Sequence, residues 1–342
     1  MDKSVETCLL EMELGAGQSF ENMTVFELLR AQNGDPEYIT LSEALHRGVF
    51  SVTEVSEGGS VPELMVVNKG DTAVLLLDGE ELRGAKQNRI LNTTILVGPK
   101  SSTKVPVSCV EHGRWSYQSK VFAESGNVMH REMRAQNVRQ VNLSLERERV
   151  FRSDQGLIWN KVAEMACAMG VPSKTGAMRD VYEAKGADLD GFLKSFRLAD
   201  GQKGILVFVD GRPAGLDFVS REKAFSELFP KLVKSYAMEA MLLAEERKSG
   251  RGRGDAAKAL AKPSVDEARE FLKRAAASEE KKYESVGLGW SYRYAGTGIV
   301  GSALAFNEKV VHMAFFGLDE PGVAEDSGSL AGSSRRRGFL VG

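Results

Sequence analysis

The chain has 342 residues, 42% apolar and 27% charged, the balance of a water-soluble globular protein with enough material for one large domain or two ordinary ones. Its 45 lysines and arginines against 47 acidic residues leave a formal charge of -2, which excludes a global field that would gather nucleic acid or an anionic membrane. Cys8, Cys109 and Cys167 are far apart and form no CxxC pair, which argues against a disulfide framework and against a zinc or dithiol site.

No stretch approaches the about 18 consecutive apolar residues that span a bilayer, and acids interrupt the apolar run at the start, so the expected compartment is the cytoplasm.

Residues 1–150 read as a β-rich portion: SVETCLLEMEL (4–14), GVFSVTEV (48–55), ELMVVN (63–68), TAVLLLDG (72–79), NRILNTTILVG (88–98) and TKVPVSCVE (103–111) are short apolar runs bounded by turn residues. Two short helices are expected over 24–30 and 42–47. The turn composition of 68–71 predicts that the runs on either side of it are sequential antiparallel strands.

From residue 151 the period changes, and 151–317 reads as a mixed portion packed with the first. Ser153 and Asp154 can cap a helix through residue 168, with Gln155 and Trp159 on one face at i, i+4. A hairpin centred on Asp210 and Gly211 follows, in which Gln202, Asp210 and Asp217 are within range of a ligand, although turn chemistry accounts for Asp210. Helices are expected over 221–247, with a kink at Pro230, and over 265–282. Residues 249–263 read as a flexible loop, and 318–342 as a disordered tail. Gly296, Gly298 and Gly301 make a formal GxGxxG, but short strand-like runs follow it where a dinucleotide site needs a helix; it reads as a hairpin. The fold class is α+β, with an antiparallel, sandwich-like N-terminal portion against a helical and mixed C-terminal one.

The chemistry concentrates between Asp78 and Trp115. GEELRGAKQNR (79–89) packs two acids, three bases and two amides between strongly apolar runs, more than a turn needs. If 88–97 and 103–111 form one hairpin about Lys100, opposing residue numbers sum to about 200 and Arg89 faces Glu111. Lys86, Gln87 and Asn88 then meet His112, Gly113 and Arg114. Lys86, Arg89 and Arg114 suit a diphosphate, Gln87 and Asn88 suit ribose hydroxyls, Trp115 suits a base, and Gly84 lets backbone approach a ligand. Glu111 and Glu81 are the candidate general bases. The plainer alternative is an Arg89–Glu111 ion pair under a solvated loop. Cys109 shares a strand face with Val105 and Val107 and is expected in the core. Four histidines with no paired spacing give no metal site, and the sequence identifies no cofactor.

Together with TLSEALHRG (40–48), VTEVSEGGSVPELMVVN (52–68), DQGLIW (154–159) and SYAMEA (235–240), these segments resemble the bacterial and archaeal ARG-and-rhodanese-phosphatase-associated protein domain. The likeness covers most of residues 1–317, and its specific signatures are GxxLxGAKQNR and PVSCVExGRW. They fall here on Glu81, Gly84, Lys86, Gln87, Asn88, Arg89, Cys109, Glu111, Gly113, Arg114 and Trp115; at His112 other members often carry glutamine. The resemblance implies a place in metabolism linked to ADP-ribose or NAD. The expectation is a protein that binds, and in an enzymatic version hydrolyses or transfers, an ADP-ribose-like nucleotide or a phosphosugar. A non-catalytic protein-binding or scaffold module is the alternative, and a carbohydrate-active β-sandwich enzyme with paired carboxylates a further one.

Overall fold

The computed structural model describes residues 1–30, 35–56, 62–250 and 262–318. Its first element corrects the sequence reading: residues 4–14 are not one strand. Val5, Cys8, Leu9 and Met12 recur at helical spacing, and the Asp2 side chain accepts from the Ser4 N–H to cap α1 (Lys3–Leu10). The expected helix at 24–30 is likewise a strand. In the hairpin of β1 (Glu13–Phe20) and β2 (Met23–Leu29), Val25 faces one core while Phe26 and Leu28 face another, so the run is apolar on both sides.

After β3 (Tyr38–Thr40) comes α2 (Leu41–His46), capped by Thr40 within the helix expected at 42–47. The strands β4 (Phe50–Glu54), β5 (Glu63–Asn68), β6 (Ala73–Leu76), β7 (Glu80–Gly84), β8 (Arg89–Leu91), β9 (Ile95–Val97), β10 (Ser101–Cys109) and β11 (Phe122–Val128) complete the β-rich stretch. β5 and β6 are not paired to each other, against expectation. β5 lies between β4 and β10, whereas β6 lies between β3 and β9 in a separate three-stranded sheet, so the turn at 68–71 passes the chain from one sheet to the other.

Helices α3 (Arg131–Glu148), α4 (Gln155–Ala168), α5 (Met178–Ala184) and α6 (Gly186–Ser195) follow, then the expected hairpin β12 (Gln202–Val209) and β13 (Arg212–Val219). α7 (Glu222–Lys248) is 27 residues and so about 40 Å long. α8 (Val265–Ala276) is shorter than expected: residues 279–282 belong to β14 (Glu279–Glu284), which pairs with β15 (Trp290–Gly296). β16 (Ile299–Phe306) and β17 (Lys309–Gly317) close the described chain. Gly298 sits at φ +65° in the turn between β15 and β16, so the GxGxxG is a hairpin. Residues 251–261 of the expected loop and 319–342 of the expected tail lie outside the described residues.

The largest sheet has the order β1-β2-β12-β13-β17-β16-β15-β14, every pair antiparallel, and thus joins strands from both ends of the chain. α1 and α8 cover one face through Cys8, Leu9, Phe271 and Leu272. α3 and α7 cover the other, and the core on that side runs on to Ile90 and Val128 of the six-stranded sheet β11-β7-β8-β10-β5-β4. The fold is α+β, with helices between two β units.

A buried ionic cluster crosses that middle layer. Arg134 of α3, fully enclosed, gives a fork to Asp217 of β13 at 2.9 and 2.6 Å and a third bond to Asp78 at 3.3 Å. Tyr236 of α7 donates to Asp217 at 2.8 Å, and Thr94 bridges Asp78 to His312 of β17. Burial alone would raise the Asp217 pKa, but the charge and hydrogen bonds of Arg134, with His312 Nε2 at 3.6 Å, outweigh it and hold the carboxyl ionised. Asp217 is therefore a structural partner and not within a ligand's range.

Candidate functional site

The polar segments at 84–89 and 109–115 do meet, in a register different from the expected one. β10 pairs with β5 over Ser101 to Pro106 and with β8 over Val107 to Cys109, while β9 leaves for the three-stranded sheet. Because 88–98 and 103–111 are not one hairpin, counting from Lys100 misplaces the pairing by two residues: Arg89 lies opposite Cys109, not Glu111. The Arg89–Glu111 ion pair of the plainer alternative is not formed, and each residue has another partner. Arg89 approaches Glu54 of β4 at 3.9 Å, and Glu111 pairs with Arg114 at 2.6 Å.

Arg114 holds the mouth of the two segments together. Its Nε and a terminal nitrogen form a fork on the Glu111 carboxylate at 2.8 and 2.6 Å, and its other bonds reach the carbonyls of Gly84, Ala85 and Ser116 and the Asn88 side chain. Glu111 also accepts from the Asn88 N–H and from Thr175, and its carbonyl accepts from Gln87. Burial pushes the Glu111 pKa up, but the hydrogen bonds from Arg114, the Asn88 N–H and Thr175, with the Arg114 charge, bring it below the usual value. Gly84 is required by the turn: at φ +125°, a Cβ there would meet Ser119 Oγ at 2.5 Å and the Val121 carbonyl at 2.9 Å.

Arg89, 0% exposed, donates to Gln87 at 3.0 Å and lies 5.9 Å from the centre of the Trp115 ring. Cys109 is buried as expected; enclosure raises its pKa, and its thiol donates to the Glu111 carbonyl. Gln155 holds both the N–H and the carbonyl of Cys109 at 2.7 Å, and Trp159 packs edge-on to His112 at 4.4 Å.

Above this framework Trp115 and Tyr117 are 52% and 51% exposed, with the Lys86 ammonium 5.3 and 5.1 Å from their ring centres. Tyr117 is absent from the sequence reading. Its signal was the i, i+2 spacing from Trp115 in an otherwise polar segment, which places two aromatics side by side. Thr175 gave no sequence signal, since it comes from the distant loop before α5.

Glu81 belongs to a different setting. It is 0% exposed, and neither carboxyl oxygen finds a hydrogen-bond partner among the described residues. Burial lifts its pKa to about 7, although Ser125 and Asn127 lie close enough to oppose the shift without closing a bond of normal geometry. With Glu111 also buried, the two candidate bases do not face each other across an open cleft.

Fold and geometry thus define an α+β protein in which the segments 84–89 and 111–117 are tied together by the hydrogen bonds of Arg114 and Glu111. The family model described as ARG and Rhodanese-Phosphatase-superfamily-associated Protein domain matches residues 11–316, and the chain belongs to that family. No curated protein and no solved structure matches it. Among the described residues no helix is long and apolar enough to cross a membrane, and no group of three or more His, Cys, Asp or Glu has metal-binding geometry.

Proposed function

We propose that the mouth between residues 84–89 and 111–117 binds an ADP-ribose-like nucleotide or a phosphosugar. The observation that carries this reading is the exposed pair Trp115 and Tyr117 with the Lys86 ammonium against both rings. A base stacks on such a surface, and the ammonium supplies charge for a phosphate. The family's association with ADP-ribosylglycohydrolases, contained in the resemblance, points to the same ligand class. Arg114, Glu111, Gln87, Asn88 and Gly84 then act as the frame, because the hydrogen bonds of Arg114 and Glu111 are spent on one another and on the backbone. Binding is favoured over turnover, since neither Glu81 nor Glu111 is presented to the mouth.

Titration with ADP-ribose, NAD, AMP and ribose 5-phosphate, followed by tryptophan fluorescence and calorimetry, tests the reading. Saturable binding is expected, weakened by about tenfold or more in Lys86→Ala and Trp115→Ala with unchanged melting, an effect of about 1.4 kcal/mol. Absence of saturable binding by all four ligands sinks it. The exposed aromatics also favour a protein-recognition surface. That reading gains if a co-purifying protein is lost in Trp115→Ala while no nucleotide binds.

A further inference from the structure

Strand β11 is irregular where it passes Glu81. Glu124 pairs with Leu82 and Val128 with Glu80, so Ser125, Gly126 and Asn127 together oppose the single residue Glu81. Bulges of this kind re-aim side chains and recur beside functional sites. Gly126 takes φ +78°, a conformation that glycine adopts without strain. Lys234 of α7 fixes its shape by donating to the Gly126 carbonyl at 2.5 Å and to the Asn127 side chain at 2.9 Å.

Beside the bulge is a cavity of about 230 Å³ lined by Ser125 and Asn127, Tyr182 and Glu183 of α5, Asp190 of α6 and Lys234. Behind the bulge stands the Glu81 carboxyl, fully buried and without a hydrogen-bond partner among the described residues. A buried acceptor in that condition costs free energy unless some donor reaches it.

Size and charge select the ligand. The volume lies below the about 300 to 1,000 Å³ of sites for drug-sized molecules, which suits one ring and excludes a dinucleotide. Among the lining residues Glu183 and Asp190 outnumber Lys234, whose ammonium is already turned to the bulge, so a phosphate is disfavoured. Hydroxyl groups both donate to carboxylates and accept from amides and ammonium.

We propose that the cavity behind the Ser125–Asn127 bulge binds a single neutral polyhydroxylated ring, a monosaccharide or cyclitol, one hydroxyl of which passes between Ser125 and Asn127 to donate to Glu81. The site is built on β7, β11 and α5 to α7 and does not depend on nucleotide binding at the mouth.

Saturation-transfer NMR with D-ribose, D-glucose and myo-inositol, with ribose 5-phosphate as the anionic comparison, is the test. At least one neutral probe gives a saturable signal, weakened about tenfold or more in Asn127→Leu, which removes the amide from the lining, and in Glu81→Gln, and unchanged in Lys86→Ala. The isosteric Glu81→Gln carries the comparison if Asn127→Leu does not fold. No saturable signal from any neutral probe overturns the proposal, as does a signal that survives both cavity variants, or a ribose 5-phosphate signal that stays stronger than that of ribose in Lys86→Ala. Failure of the mouth reading registers separately, as loss of nucleotide binding with sugar binding intact.

Discussion

Glu111 and Glu81 are both buried glutamates of the β-rich part of the chain, yet their carboxyls are shifted in opposite directions. Glu111 receives a forked guanidinium, a backbone N–H and a threonine hydroxyl, and these outweigh its desolvation. Glu81 is more deeply enclosed, closes no hydrogen bond and rises to about 7. Enclosure and the supply of donors thus act together to set protonation. A satisfied carboxyl builds a frame, whereas an unsatisfied one is available to a ligand.

The largest expected effect comes from breaking the satisfied member. Arg114→Ala strands Glu111 as a buried, uncompensated charge and should cost about 3 to 5 kcal/mol in urea unfolding. Adding Glu111→Gln to it should recover part of that loss, since the charge goes with its partner.

The opposite sign is expected at Glu81. Its folded pKa of about 7 exceeds the ordinary 4.5, so the folded state binds the proton more tightly than the unfolded state. Its contribution is most favourable below the unfolded value and is lost as pH rises from 4.5 through about 7. The penalty at higher pH is about 3 kcal/mol by order of magnitude. Glu81→Gln should thus be more stable than the parent at pH above 7, with the advantage shrinking toward pH 4.5; a parallel pair of stability profiles contradicts this. Glu111, with a lowered pKa, should stabilise above its unfolded value and lose that contribution as pH falls through the folded one.

Thr175→Ala removes one of the donors to Glu111 and should cost about 1 kcal/mol in the same unfolding assay. The smallest effects fall at the exposed rings: Trp115→Ala and Tyr117→Ala should shift stability by no more than about 0.5 kcal/mol while altering ligand binding. A large stability loss there would make the rings part of the frame.

The meeting of the two polar segments was more legible in the chain than the topology. The density of Lys86, Gln87, Asn88 and Arg89 against Glu111 and Arg114 was visible, and the structure brings these segments together. The register was not, because β8 and β9 part company at Asn92 to Thr94, and no local pattern marks where a strand changes sheets. α3 was missed since it buries Arg134, Asn137 and Asn142 among its apolar residues, which blurs the helical period. The β11 bulge was hidden for a related reason. Ser125, Gly126 and Asn127 read as loop residues until their pairing with β7 is known.

The widest sheet has a consequence for how the protein is made. Leu29 of β2 pairs with Gln202 of β12, so the first hairpin leaves the ribosome long before its neighbour exists. Until then the β2 edge offers unpaired amides and carbonyls to any passing strand. Productive folding must therefore wait for the later strands, and truncated or stalled chains ending before β12 should be aggregation-prone and depend on chaperones.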